Sequence, residues 1–287
     1  MNEALRSTSE LPSALRDSAD RLLDAYARST GSLDPPVDVT LLARIMEAKI
    51  VDGDHDVLGL TVSDGNHYTI SLGRGSRLSA GGKLTHRARF TVAHEIGHLL
   101  MASPEDRETR VFRLPGDAIE TRCDQIAETL LMPVSVVHRE FVFRRHGEVR
   151  VRILAEMAKR FDVSPQAFAR RLASLGLLGD RWIAGWKYRR GETSEAGLRL
   201  AWAVADSSQR IVVEQTRAVN GGCAIQTFRT GIPHFGTEIL SVAGRKVLCE
   251  AEAEPTGQIG AVEVLLKHAN FEPGKAVQLT AWPVEDD

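Results

Sequence analysis

The chain has 287 residues, 43% hydrophobic and 26% charged, with a formal net charge of −2. This is the composition of a globular protein of two or three domains, and it excludes disordered and collagen-like chains. Three cysteines without a Cys-x-x-Cys pair, Cys123, Cys223 and Cys249, argue against a disulfide framework and for a reducing compartment. No apolar run is long enough to span a membrane, and Met1 to Leu15 lacks the apolar segment of a signal peptide, so a cytoplasmic protein with no membrane partner is expected. The charge is unevenly spread. Arg139 to Arg190 holds 13 Lys and Arg against 5 Asp and Glu, a net of +8, while the remainder carries −10. A basic middle suits nucleic acid, an acidic partner or plain solvent.

In chain order, Ser13 to Ser29 places Leu15, Ala19, Leu22, Leu23 and Tyr26 on one side of a helix. Ser32-Leu33-Asp34-Pro35-Pro36 breaks it, and Asp38 caps a second helix through Leu41, Leu42, Ile45 and Met46. Lys49 to Val51, Leu58 to Val62 and His67 to Leu72 read as strands, with Asp64-Gly65 as the hairpin signal between the last two. Gly73 to Gly82 reads as a loop. A helix follows from about Thr85 to Ala102, where Ser103-Pro104 ends it.

That helix carries the chemistry. It contains His94-Glu95-Ile96-Gly97-His98, an H-E-x-x-H motif. Histidines four apart leave the same helix face one turn apart, so both can reach one metal ion at about 2.0–2.1 Å. Glu95, on the neighbouring stripe, is placed to take a proton from water at that metal. Thr91, Val92, Ala93, Ile96, Leu99, Leu100 and Met101 make the helix apolar on most sides and therefore buried. Two histidines, a carboxylate and a helix-weakening glycine are costly there unless a metal gives them partners. The bland reading is a pair of core histidines bonded to backbone carbonyls.

Two histidines leave coordination positions open, so a third ligand is expected downstream. The next helix runs from about Asp117 to Met132, with Pro133 as its stop, and offers Glu120, Asp124 and Glu128 on one stripe. Glu120 also fits a capping box with Asp117. Asp124 suits the spare N–H of a ligating histidine. Spacing alone does not choose among the three.

Phe90-Thr-Val-Ala-His-Glu-Ile-Gly-His-Leu-Leu100, followed by Ile119-Glu-Thr-Arg-Cys-Asp-Gln-Ile-Ala-Glu-Thr-Leu-Leu-Met-Pro133, resembles the ImmA/IrrE metallopeptidases. The resemblance implies His94, His98 and Glu120 as zinc ligands (with Mn²⁺ as the alternative ion) and Glu95 as general base. Asp124 stands where relatives carry Asn or Asp, and Ile126 replaces the more usual Phe.

No element is assigned between Pro133 and Val151. Val151, Ile153, Leu154, Ala155, Met157 and Ala158 then form a short helix, Phe161-Asp162-Val163 a turn, and Ser164-Pro165 the start of a helix lined by Phe168, Leu172 and Leu175 and ended at Gly176. This resembles a helix-turn-helix, a unit that need not bind DNA. Beyond Trp182, Leu198 to Ala205 reads as helix or strand. Ile211 to Glu214, Gly222 to Arg229, Ile239 to Val242, Lys246 to Glu252, Ile259 to Leu266 and Ala276 to Trp282 read as strands. The expected class is α+β in three parts: a zinc-peptidase-like α+β domain over 1–137, a small all-α helix-turn-helix domain over 138–180, and an α+β domain over 181–287. This layout strengthens the resemblance to the radiation- and desiccation-response members of the same family, which implies a GAF-like third domain with a small ligand. Trp202, Cys223 and His234 are candidate pocket residues, each equally at home in core or surface.

The leading function is a zinc endopeptidase. The strand at His67 to Leu72, with His67, Tyr68 and Ile70, is the expected edge on which substrate adds as a further strand. His67, Tyr68, His138 and His146 are candidate oxyanion donors. The resemblance implies a helix-turn-helix repressor of a radiation or DNA-damage regulon as substrate. The competing class is a DNA-binding activator with a structural metal, reading DNA through Arg150, Arg152, Lys159, Arg160, Arg170 and Arg171. A structural zinc usually has four protein ligands, often cysteines, so the peptidase reading is preferred and direct DNA binding is not expected.

Overall fold

The computed structural model describes residues 11–64, 67–78, 83–102, 117–145, 150–179, 181–189, 197–205, 222–242, 245–255 and 261–268. The chain divides into two compact units. The first takes residues up to 146 together with 156–168, the second 147–155 together with 169 onward, so the division falls inside the helical pair at 151–174.

In the first unit, α1 (Ser13–Thr30) buries Ala19, Leu22, Leu23 and Tyr26 and ends at Gly31, whose φ of 80° is left-handed and whose N–H donates to the Ala27 carbonyl. The Asp38 carboxylate caps α2 (Val39–Ile45) by accepting from Thr40 N at 2.9 Å. Asp38 N in turn donates to the Tyr26 hydroxyl at 3.1 Å and ties the two helices together. Three strands follow: β1 (Ala48–Asp52), β2 (Gly59–Ser63) and β3 (Tyr68–Leu72). Their order is β1-β3-β2, with β3 parallel to β1 and antiparallel to β2. The strands lie where the sequence puts them, but β3 is central. It has a neighbour on each side and no open edge, so His67, Tyr68 and Ile70 cannot receive a substrate strand there. Ile70 is fully buried, while His67 lies before β3 with its side chain 61% exposed.

The Thr85 hydroxyl accepts from Ala88 N at 3.2 Å and starts α3 (His86–Met101). The helix packs against α1, α2, β2, β3 and α4 (Asp117–Leu131), which is why it is apolar on most sides. Its buried Arg89 donates to the carbonyls of Val37 at 2.9 Å and Asp162 at 3.0 Å, and faces the Asp162 carboxylate at 3.2 Å. α4 stops before Pro133, and α5 (Val134–Arg145) begins directly after it. α5 has no counterpart in the sequence reading; Val136, Val137 and Phe141 are its buried side.

The helical pair is α6 (Val151–Phe161) and α7 (Pro165–Ser174). Asp162 in the turn has φ 53°, a left-handed value that Asp tolerates, and Ser164 Oγ accepts from Ala167 N at 3.1 Å. Two members of the expected basic set are otherwise engaged. Arg171 is buried, and Arg160 pairs with Glu140 at 2.7 Å. Arg150, Arg152, Lys159 and Arg170 are exposed.

The second unit holds β4 (Arg181–Arg189), β5 (Gly197–Ala205), α8 (Cys223–Thr230), β6 (His234–Val242), β7 (Arg245–Pro255) and β8 (Ala261–His268). The strands form one antiparallel sheet in the order β5-β4-β8-β7-β6. Alternate residues Trp182, Ala184 and Trp186 join Cys249, Ala251, Ala253 and Val262 in its core. Gly222 to Arg229 is therefore not a strand. Cys223, Ala224 and Thr227 are buried with helical period, and Glu238 of β6 accepts from Ala224 N at 3.0 Å in the first turn of α8. A Cβ at Gly222 would lie 2.4 Å from that carboxylate and would push it from its place at the helix's first turn. Leu198 to Ala205 proves to be strand, within β5. Ile211 to Glu214 and Ala276 to Trp282 lie outside the described residues. Trp202 lies on β5 and His234 on β6, the first and last strands of the sheet order, and Cys223 is buried in the core of this unit.

Candidate metal centre

Two helices and one strand build the site. α3 supplies His94, Glu95 and His98; α4 supplies Glu120 and Asp124; β2 supplies Thr61 and the bare backbone of Gly59. Gly97 explains how the helices come together. A Cβ on it would stand 3.0 Å from Cys123 Cα and 3.3 Å from Cys123 Cβ and O. The glycine lets the α4 backbone approach α3 within the turn that bears both histidines.

That approach carries Glu120 to both imidazoles. Its Oε2 lies 3.1 Å from His94 Nε2 and its Oε1 3.6 Å from His98 Nε2. Donors about 2.0–2.1 Å from a tetrahedral zinc are about 3.3–3.4 Å from one another, and the two separations bracket that value. The donor set, two imidazoles and one carboxylate, is of the catalytic zinc kind and leaves a position open. Asp124 Oδ1 lies 2.8 Å from His94 Nδ1 and so fixes which ring nitrogen faces inward. Spacing left Glu120, Asp124 and Glu128 in contention; the geometry gives Glu120 both histidines and Asp124 the far side of one. His98 is buried, and its Nδ1 has no hydrogen-bond partner among the described residues.

A second donor set includes the same histidines. The ligand atoms of His94, His98 and Cys123 lie within 4.8 Å of one another. Burial, with Glu120, Glu95 and Asp124 beside it, pushes the Cys123 thiol far up. Without a cation this sulfur stays protonated.

The electrostatics of the ligands differ. Burial opposes the charge on His94, but the hydrogen bond and charge of Asp124 prevail and raise its pKa. Burial and the charge of His94 lower that of His98 and favour the neutral, ligating form. Glu95 is 5% exposed. Burial raises its pKa against a 2.7 Å hydrogen bond donated by Thr61 Oγ1 to its Oε2. Gly59 is the other half of that cradle, since a Cβ there would fall 2.5 Å from Glu95 Oε1. Sequence reading missed both, and only the Thr-in-strand, Gly-in-strand pattern hinted at them. It also missed His55. This side chain lies in the β1–β2 connection, bonded to Val57 O and Ser71 Oγ at 3.0 Å each, and its charge acts weakly on Glu95. Of the oxyanion candidates, His67 is on the surface, His138 is exposed on α5, and His146 lies outside the described residues.

Residues 81–173 match the IrrE N-terminal-like domain of the peptidase M78 family. The chain is similar to the radiation response metalloprotease IrrE of Deinococcus radiodurans, 39% identical over 83 residues, and to that of Deinococcus deserti, 40% identical over 83 residues. These matches cover 27% of this chain and 24% and 28% of the respective relatives. The chain thus matches about a quarter of either relative's length. No described helix is long and apolar enough to cross a membrane.

Proposed function

We propose that the chain is a zinc-dependent endopeptidase that cleaves a helix-turn-helix repressor and so switches on a radiation or DNA-damage response. The carrying observation is the convergence of His94, His98 and Glu120 beside a buried carboxylate, Glu95, held from the far side by β2. His94, His98 and Glu120 would hold the metal, with Asp124 orienting His94. Bound zinc supplies Lewis acidity: it makes water a stronger acid and polarises the scissile carbonyl. Glu95 accepts the proton of the attacking water and returns it to the nitrogen of the departing amine. Its burial suits this exchange, because a carboxylate with a raised pKa is a stronger base and still releases the proton.

Substrate is assigned to the edge of β2, which pairs with no second strand among the described residues, in place of β3. Gly73 N donates to Leu58 O and Asp64 N to His67 O, and the register pairs Leu60 with Ser71 and Val62 with Thr69. The even-numbered residues of β2 therefore direct their backbone groups at β3. Gly59 and Thr61 direct theirs away from β3; Gly59 is half-buried and can meet an extended peptide, whereas Thr61 is fully buried.

The helical pair at 151–174 and the C-terminal α+β unit are read as a helix-turn-helix-like element and a GAF-like sensor with a small ligand. The antiparallel sheet carrying one helix supports the second assignment. The exposed Arg150, Arg152, Lys159 and Arg170 are assigned to protein docking rather than to DNA. The test is incubation of the zinc-loaded chain with candidate repressors. A discrete cut is expected, abolished by a chelator; an intact repressor with fully metallated enzyme would refute the proposal.

A further inference from the structure

We infer that Thr61 is a positioning residue for the general base. The inference rests on the peptidase reading above. Thr61 is fully buried, and its hydroxyl donates to Glu95 Oε2 at 2.7 Å across 34 positions of sequence. On the other carboxylate oxygen, the absent Cβ of Gly59 leaves just the room that Oε1 occupies. A Glu side chain has three rotatable bonds, and among the described residues the Thr61 hydroxyl is the hydrogen-bond partner that fixes the last of them. A hydroxyl on one oxygen and a bare backbone beside the other hold the carboxylate plane from both sides.

The test compares Thr61→Val, which keeps shape but removes the hydroxyl, with Thr61→Ser, which keeps the hydroxyl. Two readouts are taken. The first is repressor cleavage by the zinc-loaded protein. Thr61→Val should lower kcat by about 10- to 100-fold with KM changed less than about 2-fold, since general base catalysis is worth about 10²–10⁴ and misplacement forfeits part of it. Thr61→Ser should regain most of the rate. The second is acetohydroxamate binding to the cobalt-loaded protein, read from the visible cobalt spectrum and independent of turnover. Its hydroxyl proton needs the same aligned carboxylate, so Thr61→Val should bind on the order of tenfold more weakly at unchanged cobalt affinity. Thr61→Val equal to wild type in hydroxamate binding overturns the inference. So does Thr61→Ser failing alongside Thr61→Val with both unfolding earlier, which would make Thr61 a purely structural residue. If wild type cuts no repressor, the peptidase reading falls, while the hydroxamate comparison still decides the role of Thr61.

Discussion

Gly97→Ala sets two effects against each other, and the structure decides which wins. In an isolated helix alanine is favoured over glycine by about 1 kcal/mol. Here the new methyl would sit 3.0 Å from Cys123 Cα and 3.3 Å from Cys123 O, against ordinary carbon–carbon contacts of about 3.5–4.0 Å. The obstruction is α4 backbone, not a side chain that can swing away. Overpacking of this kind costs about 1–3 kcal/mol, so the variant should be no more stable than wild type and up to about 2 kcal/mol less stable. The larger effect falls on the metal. Moving α4 outward by about half an ångström displaces Glu120 from both histidines, and metal sites tolerate only about ±0.2 Å. Zinc affinity should drop by about 10-fold or more. Urea unfolding of the metal-free protein and chelator competition measure the two quantities. A variant stabilised by about 1 kcal/mol with unchanged zinc affinity would refute the helix contact on which the site depends.

Gly59→Ala should keep the metal and lose cleavage, because its methyl would fall 2.5 Å from both Glu95 Oε1 and Thr91 Cγ2, with no metal ligand among its nearest atoms; metal content and proteolysis on one sample check this. Glu120→Ala should cost more zinc affinity than Asp124→Ala, whose loss should fall near 10–100-fold, and Cys123→Ser should bind like wild type. The reverse ranking of Glu120 and Cys123 would make His94, His98 and Cys123 the donor set. Glu95→Gln should stabilise the metal-free protein at neutral pH. Burial raises the folded-state pKa of Glu95 above its ordinary 4.5, so the ionised form weakens the fold above that raised pKa. The advantage should fade as pH falls toward 4.5 and be absent below it, where both states are protonated. Unfolding curves across that range would contradict this if Glu95→Gln gains nothing at neutral pH.

The parts of the site that one helix carries were legible in the sequence. His94, Glu95 and His98 lie within five residues, and helix geometry alone puts them together. Spacing narrowed the third ligand to residues 120, 124 and 128, which share a stripe, and only the family resemblance pointed to Glu120. Which turn meets the histidines depends on where Gly97 lets α4 come close, a fact about two helices at once. Thr61 was illegible for the same reason: its partner is 34 positions away. The β2–β3 hairpin was readable from Asp64-Gly65, but which strand is the edge was not. That depends on the parallel pairing of β1 with β3, for which local sequence carries no signal. Gly222 to Arg229 misled because a glycine followed by mixed apolar and polar residues also fits a short strand. Its helix is fixed from outside, by Glu238 of β6 accepting from its first turn. α5 was missed because Val134, Val136, Val137, Phe141 and Phe143 favour strand on propensity, and tertiary packing overrides it.

The account turns on Glu95 acting as base at a metal held by other residues. Bound zinc and repressor cleavage measured on one preparation of Glu95→Gln, beside wild type, test this most directly. One zinc per chain in both proteins, with a discrete cut by wild type and none by the variant, is the expected result. Cleavage by Glu95→Gln at the wild-type rate, or loss of its zinc, would contradict it.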